Sequence, residues 1–571
     1  MTAEKTTYPE FNKHYPLLVK NLMKRPLYMY PDDIAMVYRN DEGNYLRLTW
    51  REWHARTCRL AHALTKLGVK RGDRVGTMAL NHHWHMETIY ATICSGAVSH
   101  PINVRLSLDH MAYTITHSED KIIFLDKDIL PLVEALYDRI KDHVEAFVLM
   151  SEGQEIPETR IEPIYSYEAL IKDQPQDFEW PDLDEDTHAV LYYTTGTTGL
   201  PKGALYTNRQ IYLHSLHITM LISTAPRRTE DPPRPNHVIT LMNIPLFHIH
   251  AWGSPFFSVL SCAKIILPGK FTAEGFCELV QTEGVNTTML VPTMLAMIVE
   301  YGEVERWDLS SLTHINVGGG ALPLGLKQKA EKLFPTLRVG SGYGMTETYD
   351  GVISASLKRY MVDWPQERVD PYMVKTGLAY VPAIDARVVD ADGREVPQDD
   401  DTVGEIVLRG HWIMERYFKD PERTAEAWRD GWFHTGDAAK IDKDNYITIV
   451  DRMTDVIRCG SEMIPTVLVE NLISNAEFIL EAMCVGVPDE KWGEIPMAIV
   501  RLIPGVERTE EDVIDFLQKE GVDQGKITKW MLPVYVALVD DIPKTSVGKY
   551  NKREVRKQLD RFVEVAKRVR M

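Results

Sequence analysis

Three features of the chain predict a layered α/β fold with a smaller β-rich part and a second compact module. Short apolar strands alternate with helix-like segments across residues 49–317. A strand, an Asp392-Gly393 turn and a second strand occupy residues 384–409. After Arg452 helical and extended segments resume in a separate run. With 571 residues, 44% hydrophobic and 26% charged, the chain can bury the large cores of several domains.

Taken in order, Thr49-Trp-Arg-Glu52 is a capping-box pattern ahead of an amphipathic run holding Trp53, Leu60, Leu64 and Leu67, which Gly68 stops. Strands are expected at 74–80, 121–125 and 146–150, with a helix over 83–95. The acidic, proline-bearing stretch 173–188 reads as a solvent-exposed link, and 224–236, with four prolines, as a surface loop. Strands follow at 237–244, 264–267, 287–291 and 313–317. In the last module 465–474 reads as a helix with Pro465 at its first position, 482–487 and 497–502 are extended, and Thr509-Glu-Glu-Asp512 opens another helix. No internal repeat is found.

A formal net charge of −18 argues against nucleic acid as the main partner, because phosphate-backbone binders carry a basic excess. The exception is a basic terminal segment that includes Lys552, Arg553, Arg556, Lys557, Arg568 and Arg570. Contact with the phosphates of a ligand or an acidic membrane surface fits it; a solvated helix face is the commoner explanation. Six cysteines without paired spacing suit free thiols in a reducing cytoplasm. Residues 1–30 lack a secretory or anchoring pattern, and no apolar run is long enough to span a bilayer.

The most informative stretch is Tyr193-Thr-Thr-Gly-Thr-Thr-Gly-Leu-Pro-Lys-Gly203, entered from the apolar run 189–193. Glycines let N–H groups crowd around an anion, hydroxyls add donors and Lys202 adds charge, which is phosphate-binding chemistry. Lys202 lies between Pro201 and Gly203, so this is not a Walker loop, and no Rossmann fingerprint is present. Alone, the stretch also fits an ordinary solvent turn.

Two further glycine-rich segments, Gly318-Gly-Gly-Ala-Leu-Pro323 and Gly340-Ser-Gly-Tyr-Gly-Met-Thr-Glu-Thr348, each read as a loop after a strand. Loops at the C-terminal ends of parallel strands converge on one crevice. Tyr343 offers a flat face for a base, Thr346 a hydroxyl and Glu347 a hard oxygen for magnesium. Gly431-Trp-Phe-His-Thr-Gly-Asp437 adds a carboxylate suited to ribose hydroxyls, and Asp451-Arg452 follows.

In this order and over residues 49–549, these motifs resemble those of the AMP-forming acyl-CoA synthetases of the adenylate-forming superfamily, near bacterial medium- and long-chain fatty-acyl-CoA synthetases. The resemblance implies a large N-terminal region of stacked α/β subdomains plus a β-rich one, residues 1–452. A small mobile α+β lid, 453–571, follows it. It implies that Thr194, Thr195, Gly196, Thr197, Thr198, Gly199 and Lys202 hold the ATP phosphates. Gly319, Gly320 and Ala321, with Ser341, Gly342, Tyr343, Gly344 and Met345, would enclose the nucleotide. Thr346 would meet the α-phosphate, Thr194 and Glu347 would place Mg2+, and Asp437 and Arg452 would hold the ribose. Lys549, in Pro543-Lys-Thr-Ser-Val-Gly-Lys549, matches the adenylating lysine, with Thr346 and Glu347 as its catalytic companions.

Such enzymes let a carboxylate attack the α-phosphorus of ATP, releasing pyrophosphate, and then pass the acyl group from AMP to CoA. The lid is expected to rotate about Thr454, where relatives usually carry Asp or Lys, and so expose a pantetheine tunnel. Arg458 keeps a positive charge facing the nucleotide; Ser461 and Met463 depart from the usual glycine and tryptophan. Pro245-Leu-Phe-His248-Ile-His250-Ala-Trp252 resembles the segment lining the acyl and CoA tunnels, so His248, a gating Trp252 and Gly460 are assigned there, and His250 to packed aromatic lining. The expected substrate is a medium- or long-chain fatty acid, with short-chain or methylthiopropionate-type acids as the alternative. An adenylating enzyme with a non-CoA acceptor would share these motifs. A non-catalytic nucleotide sensor, the rival from a different class, would have lost Lys549. A homodimer is implied by the resemblance alone.

Overall fold

The computed structural model describes residues 15–40, 42–194, 200–460, 462–544 and 550–570. The expectations placed on residues 195–199 and on Lys549 lie outside these. The first layer is a seven-stranded sheet ordered Ile164–Ser166, Ala146–Met150, Asp120–Asp126, Arg74–Met78, Val98–Pro101, His188–Tyr193 and Gly203–Thr207. All pairs are parallel except the last, a hairpin. The helix Trp50–Lys66 packs on this layer; Thr49 and Glu52 cap it reciprocally, and Gly68 leaves it at φ 77°.

The second layer is a nine-stranded sheet with a parallel centre, Arg338–Gly344, His314–Val317, Thr287–Leu290, Ile239–Leu241, Lys264–Leu267 and Ile34–Arg39, and antiparallel edges. Asn81 joins the layers: its Nδ2 donates to the carbonyls of Met242 at 2.7 Å and Ile244 at 2.8 Å, and its Oδ1 accepts from Leu246 N at 2.8 Å. A five-stranded antiparallel sheet containing Ile384–Val389, Gly404–Gly410, Trp432–Ile441 and Ile447–Arg452 forms the β-rich part.

The residues from Ile457 to Phe562 assemble their own core around the long hairpin Ile479–Asp489 and Gly493–Leu502, backed by Thr466–Ser474 and Glu510–Leu517. This module is tied to the preceding strand through Asp451. Its Oδ2 accepts from Thr466 N at 2.8 Å, and Lys552, nearly buried, lies 3.7 Å from Oδ1 and 2.9 Å from Glu470 Oε1. No helix among the described residues is long and apolar enough to cross a membrane.

Several sequence expectations are corrected. Pro465 is the N-cap residue, with ψ 115°, so the helix begins at Thr466. The turn at Asp392-Gly393 forms, but only a bridge between Val389 and Glu395 follows it, and the pairing strand is Gly404–Gly410. The stretch 173–188 is an anchored strap rather than a free link: Leu183 is buried, and Lys20 Nζ bonds the carbonyls of Trp180 and Pro181. The segment Gly340–Gly344 is not a loop after a strand but part of the strand Arg338–Gly344. The basic terminal segment is paired in part, Arg556 with Asp455 and Lys567 with Glu511 as well as Lys552 with Glu470. The cysteines are all free and buried, as their spacing suggests.

Candidate functional site

The phosphate-type loop is closed at its neck by the hairpin, where Tyr193 pairs with Gly203 and Thr194 N donates to the Lys202 carbonyl at 2.8 Å. Lys202 Nζ then donates to the hydroxyl of Tyr417 at 2.9 Å, and that hydroxyl donates to Glu347 Oε1 at 2.8 Å. Glu347 is buried, on the short turn after the strand Arg338–Gly344. Sequence reasoning misses Tyr417. No motif spacing marks it, and burial pushes its hydroxyl pKa up, keeping it a neutral donor.

A second group forms across the β-rich sheet. Asp437 and Arg452 are register partners on adjacent strands, so their side chains meet, with Arg452 Nε 2.8 Å from Asp437 Oδ1. Asp437 Oδ2 accepts the Tyr343 hydroxyl at 2.6 Å. The base-facing tyrosine and the ribose-type carboxylate are thus one hydrogen-bonded unit before any ligand is considered.

Both groups open on one cavity of about 1010 Å³. Of the predicted residues, Thr194, Lys202, Tyr343, Thr346, Glu347 and Arg452 line it, as do Gly319, Gly342, Gly344 and Met345. His248 and Trp252 line it as well, which joins the predicted acyl segment to the nucleotide residues. The residues not brought in have plain reasons. Ser341 alternates with Gly340 and Gly342 and is turned to the other face of its strand. Gly320 and Ala321 are exposed. Arg458 is exposed, and Gly460, at φ 63°, packs against Trp492; neither lines the cavity. Thr454 sits in the turn between Ile447–Arg452 and Ile457–Cys459.

The segment after Pro245 is held by Asn81, another residue that no motif marks. Its residues Ile249, His250, Ala251 and Trp252 take φ of 49°, 43°, 49° and 58°, a region that non-glycine side chains seldom occupy. His250 is fully buried, with Nδ1 2.8 Å from the Tyr192 hydroxyl and Nε2 3.3 Å from Ser99 Oγ, and burial pulls its pKa well below the ordinary value. It packs among Tyr192, His85 and Phe256, behind the residues that line the cavity. The rim of the Trp252 indole meets Gly318, where an added Cβ would stand 3.2 Å from it.

Comparison with known proteins bears on the family and the fold. The AMP-binding enzyme family model matches residues 23–418, and the AMP-binding enzyme C-terminal domain matches 468–549. The chain is 36% identical to the long-chain-fatty-acid–CoA ligase of Thermus thermophilus over 530 residues, 92% of this chain and 93% of that one. It is 34% identical to the 3-methylmercaptopropionyl-CoA ligase of Ruegeria lacuscaerulensis over 545 residues, 95% of this chain and 97% of that one. The fold matches the anthranilate CoA ligase AuaEII in complex with anthranoyl-AMP, with a TM-score of 0.81, 20% identity, and coverage of 95% and 98%. The chain therefore belongs to the AMP-binding enzyme family and carries that family's C-terminal domain as well.

Proposed function

We propose that this enzyme converts a carboxylic acid to its CoA thioester in two steps at the one cavity. The acid's carboxylate attacks the α-phosphorus of ATP, forming an acyl-adenylate and releasing pyrophosphate; the CoA thiol then attacks the acyl carbon and AMP leaves. The observation that carries the reading is the single cavity shared by Lys202, Glu347 and Tyr343 on one side and His248 and Trp252 on the other. In this reading Thr194, Lys202 and the loop 195–199 grip the departing phosphates, Tyr343 and Gly319 border the adenine, and Asp437 with Arg452 orients the ribose.

Lys549 supplies the charge that stabilises the phosphoryl oxygens, an interaction whose loss typically costs roughly 3 kcal/mol, or about two orders of magnitude in rate. Magnesium fits a site made of Glu347 and Thr194 only if ATP brings most of the ligands, since no cluster of three His, Cys, Asp or Glu among the described residues forms a cage. When bound there it would neutralise charge on the phosphates. The lid comprises residues 453–571, and Thr454 is its hinge. The acid is of medium or long chain, as the volume of the cavity that Trp252 lines and the fatty-acid ligase relative support. Six buried free thiols suit a reducing, cytoplasmic setting.

The test is incubation with ATP, magnesium, CoA and a graded panel of acids, following AMP and thioester by mass. Lys549→Ala should lose adenylation while still forming thioester from supplied acyl-adenylate. Normal adenylation by that variant would refute the assignment.

A further inference from the structure

Beyond Trp252 the cavity runs along one face of the nine-stranded sheet, and its floor is polar. In register across the parallel strands, Met289, Asn316 and Gly340 form one row, and Thr287, His314 and Arg338 the next, with Thr240 beside Thr287. From Gly318 to His314 the chain descends four residues, about 13 Å at roughly 3.3 Å per residue. The helix Asn208–Thr224 lines the cavity with Ile218, Leu221 and the largely exposed Ile222, interleaved with Thr219, Ser223 and Thr224.

At the far end lies Arg227. Its neighbour Asp231 is already engaged, accepting Arg338 Nε at 2.7 Å and Arg228 N at 2.8 Å. Among the described residues, the side chains of Arg227, His314, Asn316, Thr240 and Thr287 make no hydrogen bond or ion pair. Arg227 is half-buried beside the like charges of Arg234 and Arg338, and desolvation draws its pKa below the ordinary value although Asp231 partly offsets this; His314 is exposed at the start of its strand. A plain alkyl chain laid on this floor would strip water from these groups and return nothing.

We propose that the far end of the tunnel is a subsite for the distal group of the acid, Arg227 pairing with an ω-carboxylate beside His314, with methylenes against the helix wall. The substrates are then extended acids carboxylated at the far end rather than simple fatty acids. This rests on the acyl-CoA ligase reading above. A guanidinium that meets a carboxylate discriminates against the analogue lacking it, because the half-buried cation then loses that partner.

The experiment compares, at each chain length, unsubstituted acids with their ω-carboxy counterparts, and includes propionate as an acid too short to reach Arg227. The native enzyme should favour the ω-carboxy acid of best length by at least about tenfold in kcat/KM. Arg227→Met should abolish that preference, mainly through KM, and leave propionate unchanged. Asn316→Val should independently improve the unsubstituted acids. Equal or better use of unsubstituted acids by the native enzyme would overturn the subsite, as would an Arg227→Met defect shared by propionate. Thioester from unsubstituted acids alone would leave the ligase reading standing without the subsite; no thioester from any acid would remove both.

Discussion

The Tyr417 hydroxyl stands 2.8 Å from Glu347 Oε1 and takes the Lys202 ammonium at 2.9 Å on its other side. One phenol therefore sets the spacing between the lysine of the phosphate-type loop and the carboxylate assigned to the metal. Tyr417→Phe keeps the ring under Lys202, which lies 4.3 Å from its centroid, and removes only the two bonds. Hydrogen bonds to charged groups are worth about 1.5–3 kcal/mol. The expected result is adenylation, read by pyrophosphate exchange, slowed roughly ten- to a hundredfold, with thioester formation from supplied acyl-adenylate unchanged.

Asn81 saturates three backbone groups of residues 242–246 with a single side chain that is 2% exposed. Asn81→Ala leaves all three buried and unpaired, so a loss of about 3 kcal/mol or more is expected. Chemical denaturation checks the stability, and intrinsic fluorescence of Trp252 against a Trp252→Phe background checks whether the adjoining segment loosens.

Gly344 is assigned to the nucleotide from its motif, but its geometry gives it a packing requirement as well. An added Cβ would lie 1.9 Å from the Asp350 carbonyl oxygen, which is backbone and cannot swing aside. Gly344→Ala is expected to cost at least about 1–3 kcal/mol even without nucleotide, by displacing the strand that presents Tyr343. A melting temperature unchanged in the absence of ATP would contradict this.

Lys552 is a structural cation close in sequence to the assigned catalytic one. Its ammonium is bound to Glu470, whose pKa burial raises despite the lysine. Lys552→Met strands that carboxylate and should destabilise the protein by about 3–5 kcal/mol. Lys552→Met with Glu470→Leu should recover much of the loss, measured as a double-mutant cycle.

Local rules make parts of this molecule legible. The box at Thr49 and Glu52 involves residues three apart, so its four letters suffice. The union of Asp437 with Arg452 and Tyr343 follows from an ordered set of motifs, although only the register of two strands explains why the side chains meet. Tyr417 and Asn81 are not legible, because their partners lie 70 to 215 residues away and come together only through packing of separate layers. Arg227 lies inside a proline-bearing stretch that reads as a surface loop, and nothing in its composition shows that the loop borders the cavity.

The four residues from Ile249 to Trp252 turn with the opposite hand to every L-residue helix around them, at a local cost of about 1–2 kcal/mol each. Left alone, that stretch would rewind to the right; Asn81, Tyr192 and Ser99 hold it against its own torque. Trp252 hands the chain through Gly253, at φ 70°, to the buried helix Ser254–Leu260, so its contact with Gly318 is decided by that helix and by anchors in the neighbouring sheet. A substitution far from the cavity, at any of those anchors, should reach the tunnel as a change of handedness.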